Sequence, residues 1–554
     1  MRAVTLSDAL TAAAATPRQI TMVEHDGRSV TMPYAALLAE SLLIAGALVA
    51  AGYEPEDRIA LMLTEVRDFI CVFFALAAAG LVPVPLVPPG QAGDLPTFTR
   101  QARHLLKKGR VRAVVTSSGV QPHVDVVGLD PAPAVLTVDS LRSAPPLRQP
   151  IHVPMSATAL LQFTSGSTAA PKGVVLTHDN IQANVSVIDD GLRLTSSDVA
   201  VSWLPLYHDM GLIGMLVTAI YAKVDSLIMS PILFLKRPTM WLEALSRHRG
   251  TISFAPNFAY DLCLRRVKRS QIPSLDLTAW RVAGCGAEPV RAETLHTFAN
   301  YFAPAGFHAS SFVPSYGLAE HSLAVTFSYG GITTDTVDAD RLVCDSHAAP
   351  AAGNPNGART VRLVSCGRPF PGHEIRIVGP NGEPLPERQL GQIVARGPSV
   401  MSGYFEDPDA TDAAVHDGWL QTGDLGYLAG GDLYVCGRTK DLIIREGHKY
   451  HPPDLESAIL DVAELRSSGV VVFGINHVAA ADEVVAVLEA RASNAPDTIV
   501  DHVRRRVRET AGLELDRVVV APPGTIPRTT SGKVRRAETR ARFQAGTLLT
   551  GGLK

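Results

Sequence analysis

The sequence Leu161-Gln-Phe-Thr-Ser-Gly-Ser-Thr-Ala-Ala-Pro-Lys-Gly173, continued by Val174-Val-Leu-Thr-His-Asp-Asn180, is the most informative segment of this chain. Its pattern predicts a strand, a loop rich in hydroxyl groups, a second strand and a helix that begins near Thr177. Gly166 lets the backbone approach a ligand closely and Lys172 adds a positive charge, so the loop is suited to binding phosphates through backbone N–H groups. It is not a Walker loop, because a glycine rather than Ser or Thr follows Lys172. An ordinary polar turn is the alternative interpretation.

Length and composition describe a globular chain of at least two domains. The 554 residues exceed what one hydrophobic core supports, and 46% hydrophobic against 19% charged residues is typical of folded proteins. A net charge of −3 gives no overall attraction to nucleic acid. The six scattered cysteines lack metal-ligand spacing, and no secretory signal is visible, so we expect a reducing, cytoplasmic location.

The uncharged stretch Phe69–Val87 approaches the length of a membrane span. Gly80, Pro83 and Pro85 interrupt it, and helices rarely continue through such a cluster. We therefore predict a buried helix over about 64–79, a turn at Gly80 and a short strand, with no transmembrane segment.

Helix-like and strand-like segments alternate through the first 290 or so residues, which predicts an α/β architecture with largely parallel sheets. Predicted strands include Arg58–Leu63, Val111–Thr116, Ala200–Leu204 and Thr251–Phe254. After about residue 361 the pattern changes to short strands with Gly/Pro turns, and after about 440 strands and helices alternate again. The least patterned interior stretch is 328–360.

A second segment with chemical potential is Pro527-Arg-Thr-Thr-Ser-Gly-Lys-Val-Arg-Arg536, in which Lys533 follows a Ser-Gly turn. Taken alone it is typical of a solvated basic tail. The chain has 41 arginines and only 10 lysines, which draws attention to each lysine that lies in such a loop.

Seven segments, in this order, resemble the adenylate-forming superfamily of acyl-CoA synthetases, nonribosomal adenylation domains and luciferases. They are Thr164–Gly173, Trp203–Gly211, Gly284–Pro289, Ser315–Glu320, Gly418–Gly426, Gly437–Leu442 and the segment around Lys533. The resemblance implies ATP and Mg²⁺ as cofactors. It also implies the superfamily's fold, which is α/β, with a large N-terminal domain of α/β-layered subdomains plus a β-rich subdomain, and a small mobile α+β C-terminal domain.

The resemblance implies a role for each matching residue. The loop that binds the β- and γ-phosphates comprises Thr164, Ser165, Gly166, Ser167, Thr168 and Lys172. The adenine pocket comprises Gly286, Ala287, Glu288, Ser315, Tyr316 and Gly317, with Tyr316 stacking on the base. Glu320 and Thr168 are the expected Mg²⁺ ligands, consistent with the preference of Mg²⁺ for oxygen.

The remaining implied roles concern the ribose, the hinge and the reacting carboxylate. Asp424 is expected to hold the ribose hydroxyls, with Arg438 assisting, and Lys440 to be the hinge residue. Lys533 is expected to bridge the substrate carboxylate and the α-phosphate in the transition state, where cations must offset developing negative charge. His208 matches the entrance of the acyl pocket, although a hydrogen-bonded core histidine is the alternative.

The implied domains are 1–437 for the N-terminal adenylation domain, 438–440 for the hinge and 441–554 for the C-terminal lid that carries Lys533. Within the superfamily, Trp203–Gly214 and Gly437–Glu456 resemble the fatty acyl-AMP ligases most, and Lys440 stands where many relatives have Asp. That branch carries an insertion that hinders the domain rotation required for CoA, and 328–360 is the candidate. The resemblance therefore implies a fatty acid substrate and a separate acyl carrier protein as acceptor.

Three alternatives remain at this point. The nearest is an acyl-CoA synthetase that uses CoA. An amino-acid-activating domain is disfavoured because the segment around His208 lacks the usual residues for holding an ammonium group. An inactive nucleotide- or lipid-binding relative is disfavoured because Lys533, Glu320, Asp424 and Arg438 are all present.

Overall fold

The structure is a computed structural model of the chain. It describes residues 4–89, 95–164, 171–351, 359–445, 448–460, 462, 465, 469–477, 480–490, 496–528 and 534–548.

The first half of the chain alternates helices and strands, as the sequence predicts. Its elements are α1 Leu6–Ala14, β1 Gln19–Val23, β2 Ser29–Pro33, α2 Tyr34–Ala50, β3 Arg58–Met62, α3 Val66–Ala78, β4 Val82–Pro85, α4 Leu95–Lys108, β5 Ala113–Thr116, β6 Ala134–Thr137, α5 Val138–Leu141, β7 Thr158–Phe163, β8 Gly173–Thr177, α6 His178–Leu192, β9 Val199–Ser202, a π-helix Met210–Val217, α7 Thr218–Ala222, β10 Asp225–Met229, α8 Pro231–Lys236, α9 Thr239–Arg247, β11 Ile252–Ala255, α10 Asn257–Arg266, β12 Val282–Cys285, α11 Ala292–Phe302, β13 Phe312–Gly317 and β14 Ala324–Phe327.

The second half begins with short strands and returns to mixed structure. Its elements are β15 Thr334–Asp338, α12 Ala339–Cys344, β16 Thr360–Val364, β17 Arg368–Pro369, β18 Glu374–Val378, β19 Gly391–Arg396, β20 Gly403–Tyr404, α13 Pro408–Ala414, β21 Val415–His416, β22 Trp419–Ala429, β23 Asp432–Arg438, β24 Ile443–Arg445, β25 His448–Tyr450, α14 Pro452–Leu460, β26 Val470–His477, β27 Ala480–Glu489, α15 Pro496–Ala511, β28 Arg517–Ala521 and α16 Arg536–Gln544.

Two largely parallel sheets dominate the N-terminal part. The larger has nine strands in the order β17-β14-β13-β12-β11-β9-β10-β1-β2, and the run from β13 to β1 is parallel. The smaller has the order β4-β3-β5-β6 and is parallel throughout. In parallel sheets the carboxyl ends of the strands meet at one edge, which is where ligands usually bind. The predicted α/β class with parallel sheets is confirmed.

The uncharged stretch is a buried helix followed by a strand, as predicted. α3 is packed into the largest hydrophobic core, and Gly80, with φ +70°, makes the turn to β4. A positive φ is readily adopted only by glycine, which is why the helix can end sharply at this residue. Among the described residues, no helix is both long and apolar enough to span a bilayer.

The β-rich part consists of an antiparallel sheet, β18-β19-β22-β21, to which β23 adds on β22. A separate hairpin, β15 with β16, is attached to it through Asp335, whose Oδ2 accepts hydrogen bonds from Arg388 Nη1 at 2.9 Å and from the Tyr427 hydroxyl at 3.0 Å. This hairpin and α12 give regular structure to part of the weakly patterned stretch 328–360, of which 352–358 lies outside the described residues.

The C-terminal part has its own cores. β26, β27 and β28 form one sheet, and α14 and α15 pack on one face of it through Leu455, Ile459, Val503 and Val507. The opposite face packs against α16. We retain 1–437, 438–440 and 441–554 as the proposed domains.

Candidate active site

The loop predicted to bind phosphates sits between two paired strands. β7 and β8 are antiparallel, with Phe163 opposite Gly173. Thr164 N–H donates to Lys172 O at 2.9 Å, which closes the base of the loop. Thr164 and Lys172 are thus held together, whereas Ser165, Gly166, Ser167 and Thr168 lie outside the described residues. The Thr177 side chain caps α6, as the sequence predicts.

Lys172 and Glu320 both contact Tyr404, a residue to which the sequence assigns no role. The Tyr404 hydroxyl donates to Glu320 Oε1 at 2.9 Å, and Lys172 Nζ lies 4.4 Å from the centroid of the Tyr404 ring. Tyr404 is in β20, which pairs with β8 next to the loop. The structure therefore connects the predicted phosphate-binding lysine with the predicted metal-binding carboxylate.

The electrostatic setting of Glu320 favours a bound cation. Burial raises the pKa of Glu320 above its usual value, and the negative charge of Asp209 raises this pKa further, while the hydrogen bond from Tyr404 opposes the rise. Two carboxylates that repel one another in a desolvated place are relieved by a divalent ion. The residues present therefore fit Mg²⁺, and of the two predicted ligands Glu320 is the one that the structure describes.

His208 lies beside this carboxylate pair, at the carboxyl end of β9. Its Nδ1 is 2.6 Å from Asp209 Oδ1, which also accepts a 2.7 Å hydrogen bond from Met210 N–H. Gln162 of β7 is buried and its Nε2 donates to Tyr207 O at 3.0 Å, so the His208 segment is tied to the phosphate hairpin. The π-helix begins directly after Asp209, and such helices are frequent at functional sites.

The segments predicted to hold adenine lie at the carboxyl ends of β12 and β13. Gly286 packs against Ser315 so closely that a Cβ atom would sit 2.5 Å from Ser315 Oγ, which requires glycine there. Ala287 has φ +67°, a strained conformation that often marks functional positions. The Glu288 carboxylate accepts a 2.6 Å hydrogen bond from Phe258 N–H. Gly317 continues β13, its Cα against the Leu323 backbone.

Tyr316, Asp424 and Arg438 form a connected group. The Tyr316 hydroxyl donates to Asp424 Oδ2 at 2.7 Å, and Arg438 Nε donates to Asp424 Oδ1 at 3.1 Å. Burial raises the pKa of Asp424, and Arg438 opposes that rise. The Tyr316 ring is buried in the core of the β-rich sheet, with only 9% of the residue exposed. The stacking of Tyr316 on adenine stays a prediction.

Lys440 is close enough to interact electrostatically with Arg438, Asp424 and Glu320. Partial desolvation and the neighbouring Arg438 guanidinium lower its pKa, whereas Asp424 and Glu320 oppose the change. Lys533 lies outside the described residues. The chain on either side of it is fixed, because Arg528 and Val534 form a β-bridge and Arg535 N–H donates to Pro527 O at 2.9 Å.

The structure thus brings Lys172, Glu320, His208, Asp424, Arg438 and Lys440 into one neighbourhood. Tyr404, Gln162 and Asp209 belong to it as well and carried no assignment from the sequence. The Gly-Tyr pair at 403–404 is a weak signal for Tyr404, because its contacts depend on a strand pairing across more than 200 residues. Cys285 is fully buried, which raises the pKa of its thiol well above the usual value and disfavours a nucleophilic role.

Comparison with protein families gives two matches. The AMP-binding enzyme family matches residues 10–405. The AMP domain of Disco-interacting protein 2-like proteins matches residues 440–551.

Individual relatives match over nearly the whole length. A putative acyl-CoA synthetase of Caulobacter vibrioides is 36% identical over 98% of this chain and 96% of that protein. A medium-chain-fatty-acid–acyl-carrier-protein ligase, JamA, of Moorena producens is 33% identical over 89% of this chain and 86% of that protein. A solved structure from work on fatty acyl-adenylate ligases of E. coli and L. pneumophila has a TM-score of 0.91, 36% identity and 98% coverage of both chains. The fold expected from the seven segments is confirmed.

Proposed function

The chain belongs to the AMP-binding enzymes, in the branch of the fatty acyl-AMP ligases, and we therefore propose that it activates a fatty acid for transfer to a carrier protein. In the first step a carboxylate oxygen attacks the α-phosphorus of ATP, pyrophosphate leaves, and an acyl-adenylate forms. In the second step the phosphopantetheine thiol of a separate acyl carrier protein attacks the carbonyl carbon, the thiol proton is lost, and AMP leaves.

The observation that carries the proposal is the presence of two pairs of opposite charges in one neighbourhood, one of them at the base of the phosphate loop. Lys172 and Glu320 contact the same tyrosine, and Arg438 is hydrogen-bonded to Asp424. A carboxylate and a triphosphate repel one another, so a site that joins them needs cations and oriented donors. Lys172 and Lys533 supply positive charge to the phosphates and the carboxylate, and Asp424 binds the ribose hydroxyls.

Mg²⁺ would be held by Glu320, with Thr168 as the second proposed protein ligand. When bound, it neutralises charge on the phosphates during displacement. Gly286, Ala287, Glu288, Ser315, Tyr316 and Gly317 form the proposed adenine pocket, His208 the entrance for the acid and Lys440 the hinge.

Contacts of the candidate insertion favour a carrier protein over CoA as the acceptor. Cys344 Sγ, at the end of α12, is 3.2 Å from His448 Nδ1 of β25, and Val343 packs on the C-terminal core. Arg359, at the C-terminal end of the stretch, lies against Gly512, where a Cβ atom would be 1.7 Å from Arg359 Nη1. The middle of 328–360 and its C-terminal end therefore touch the proposed lid, and these contacts oppose the domain rotation that CoA use requires.

An acyl-CoA synthetase is the second candidate, because the Caulobacter vibrioides relative carries that name at 36% identity. It shares the adenylation step and differs only in the acceptor thiol.

The adenylation step is tested with full-length protein, ATP, Mg²⁺ and a panel of fatty acids of increasing chain length, with acyl-AMP and pyrophosphate measured as products. We expect acyl-AMP from at least one fatty acid, and a loss of about 100-fold or more in Lys533→Ala. The exposed Lys268→Ala serves as the matched control and should keep wild-type activity. Pyrophosphate exchange with amino acids alone, or undiminished acyl-AMP formation by Lys533→Ala, would overturn the assignment.

A further inference from the structure

Tyr404 is fixed by its backbone between the phosphate loop and Glu320. It lies opposite Val174 in the pairing of β20 with β8, and its N–H donates to Thr411 Oγ1 at 2.8 Å. Three residues earlier, Met401 N–H donates to Glu320 O at 2.9 Å. Because these bonds involve the main chain of the segment, the Tyr404 side chain is not required to hold the strand in place.

That side chain makes one polar and one ring contact, each to a different part of the site. Its hydroxyl donates to Glu320 Oε1 at 2.9 Å, and its ring lies under Lys172 Nζ at 4.4 Å. An ammonium group over an aromatic face is attracted by the ring, and a hydrogen bond to a carboxylate is stronger than one between neutral groups. One residue therefore sets the positions of a cation and an anion that act on the same triphosphate.

We propose that Tyr404 is a positioning residue that couples nucleotide binding to cation binding, by holding Lys172 with its ring and Glu320 with its hydroxyl. The inference rests on the proposed function, since it takes Lys172 as a phosphate ligand and Glu320 as the metal carboxylate. Loss of the hydroxyl frees the Glu320 carboxylate to turn away from the phosphates. Loss of the ring frees Lys172.

The hydroxyl acts as a hydrogen-bond donor and not as a base. A tyrosine hydroxyl is protonated at neutral pH, and this one is 2.9 Å from an acceptor, Glu320 Oε1. A protonated phenol beside a carboxylate orients that carboxylate without competing for a metal ion.

Two substitutions separate the two contacts. In Tyr404→Phe the ring stays and the hydroxyl is lost, so the affinity for a non-hydrolysable ATP analogue without Mg²⁺ should stay within about twofold of wild type. Adding Mg²⁺ should increase the affinity for the analogue. The Mg²⁺ concentration at which half of this increase is reached should be about fivefold or more higher in Tyr404→Phe than in wild type. In Tyr404→Leu the ring is lost as well, and the analogue affinity without Mg²⁺ should fall about threefold to tenfold.

The binding is measured by calorimetry on the full-length protein, and melting temperatures show that each variant is folded. Tyr301→Phe is the matched control, because Tyr301 donates a 2.8 Å hydrogen bond to Val267 O, outside the proposed site. Its analogue affinity and Mg²⁺ requirement should equal those of wild type. If Tyr404→Leu does not fold, the Mg²⁺ requirement of Tyr404→Phe alone tests whether Tyr404 positions Glu320.

A wild-type Mg²⁺ requirement in Tyr404→Phe, or a wild-type analogue affinity in a folded Tyr404→Leu, would overturn the proposal. Neither measurement needs a fatty acid or an acceptor. A chain that couples ATP and Mg²⁺ through Tyr404 but adenylates no fatty acid would leave this inference standing and refute the proposed function alone.

Discussion

Tyr316 and Asp424, which are 108 residues apart, share a hydrogen bond of 2.7 Å from the tyrosine hydroxyl to Oδ2 of the carboxylate. The bond joins the end of β13, in the large parallel sheet, to β22 of the β-rich sheet. The other carboxylate oxygen accepts from Arg438 Nε at 3.1 Å. Asp424, which we propose to bind the ribose, is therefore oriented from both sides.

Removing one of these donors should weaken ATP binding without abolishing the reaction. In Tyr316→Phe the Asp424 carboxylate loses a hydrogen bond worth about 1–2 kcal/mol, so the KM for ATP should rise roughly fivefold to tenfold. The kcat should stay within about twofold, because the lost contact orients a binding group in ground state and transition state alike. Steady-state pyrophosphate release at varied ATP measures both constants.

Tyr34→Phe is the control for this prediction. Tyr34 is fully buried and its hydroxyl donates to Val224 O at 2.7 Å, away from the proposed nucleotide site. The Tyr34→Phe substitution should lower the melting temperature and leave the KM for ATP unchanged. An equal rise in KM for both variants would mean that the effect of Tyr316 is one of general stability.

Much of the fold could be predicted because local signals and tertiary structure agree. The hairpin around the phosphate loop, the cap at Thr177 and the turn at Gly80 each depend on residues that are neighbours in sequence. The parallel sheets followed from the alternation of apolar strands with helices. The predicted strand bounds are off by one or two residues at an end: β3 ends at Met62 and not at Leu63, and β5 begins at Ala113 and not at Val111.

The residues that sequence reasoning missed depend on distant pairings. Tyr404 reaches Lys172 only because β20 adds to β8, and a two-residue strand has no periodicity from which to predict it. Gln162 lies within a predicted strand, and the strand pattern gives no sign that its side chain donates a hydrogen bond to the Tyr207 carbonyl. The pairing of β15 with β16 could not be predicted, because the Ala/Asn/Gly-rich stretch between the two strands has no alternation of apolar and polar residues.

Arg536 is expected to stabilise the proposed lid. Its guanidinium donates to Asp441 Oδ2 at 2.9 Å, to Glu456 Oε1 at 2.7 Å and to Val472 O at 3.0 Å. In Arg536→Met two carboxylates with little solvent access lose their partner, so the free energy of unfolding should fall by about 2–3 kcal/mol. Urea unfolding, followed by circular dichroism, measures the change.

The matched control is Arg542→Met on the same helix. Arg542 pairs with Glu538 on a solvent-exposed face, and exposed ion pairs contribute about 0–1 kcal/mol. If both variants unfold at the same urea concentration, the Arg536 contacts add nothing beyond an exposed pair.

His178 should make folding sensitive to acid. Burial lowers its pKa to about 4, from an ordinary 6.5, and its Nδ1 accepts a hydrogen bond from Leu6 N–H at 3.3 Å. The unfolded chain therefore binds a proton at a pH where the folded chain does not. The contribution of His178 to stability is complete above about pH 6.5 and is lost as the pH falls toward 4.

The test compares wild type with His178→Gln at several pH values, because the difference cancels all other titrating groups. Between pH 7.5 and pH 5 the stability of wild type relative to this variant should fall by about 2 kcal/mol. A difference between wild type and His178→Gln that is constant with pH would contradict the prediction.

Competition between acceptor thiols distinguishes a ligase that loads a carrier protein from an acyl-CoA synthetase. Full-length protein is given ATP, Mg²⁺, a fatty acid that it adenylates, and equal concentrations of CoA and a phosphopantetheine-loaded acyl carrier protein, and the products are identified by mass spectrometry. In this mixture we expect the acyl group on the carrier protein. In a parallel reaction without the carrier protein, where CoA is the only thiol, we expect acyl-AMP and little or no acyl-CoA. Efficient formation of acyl-CoA would instead identify the chain as an acyl-CoA synthetase.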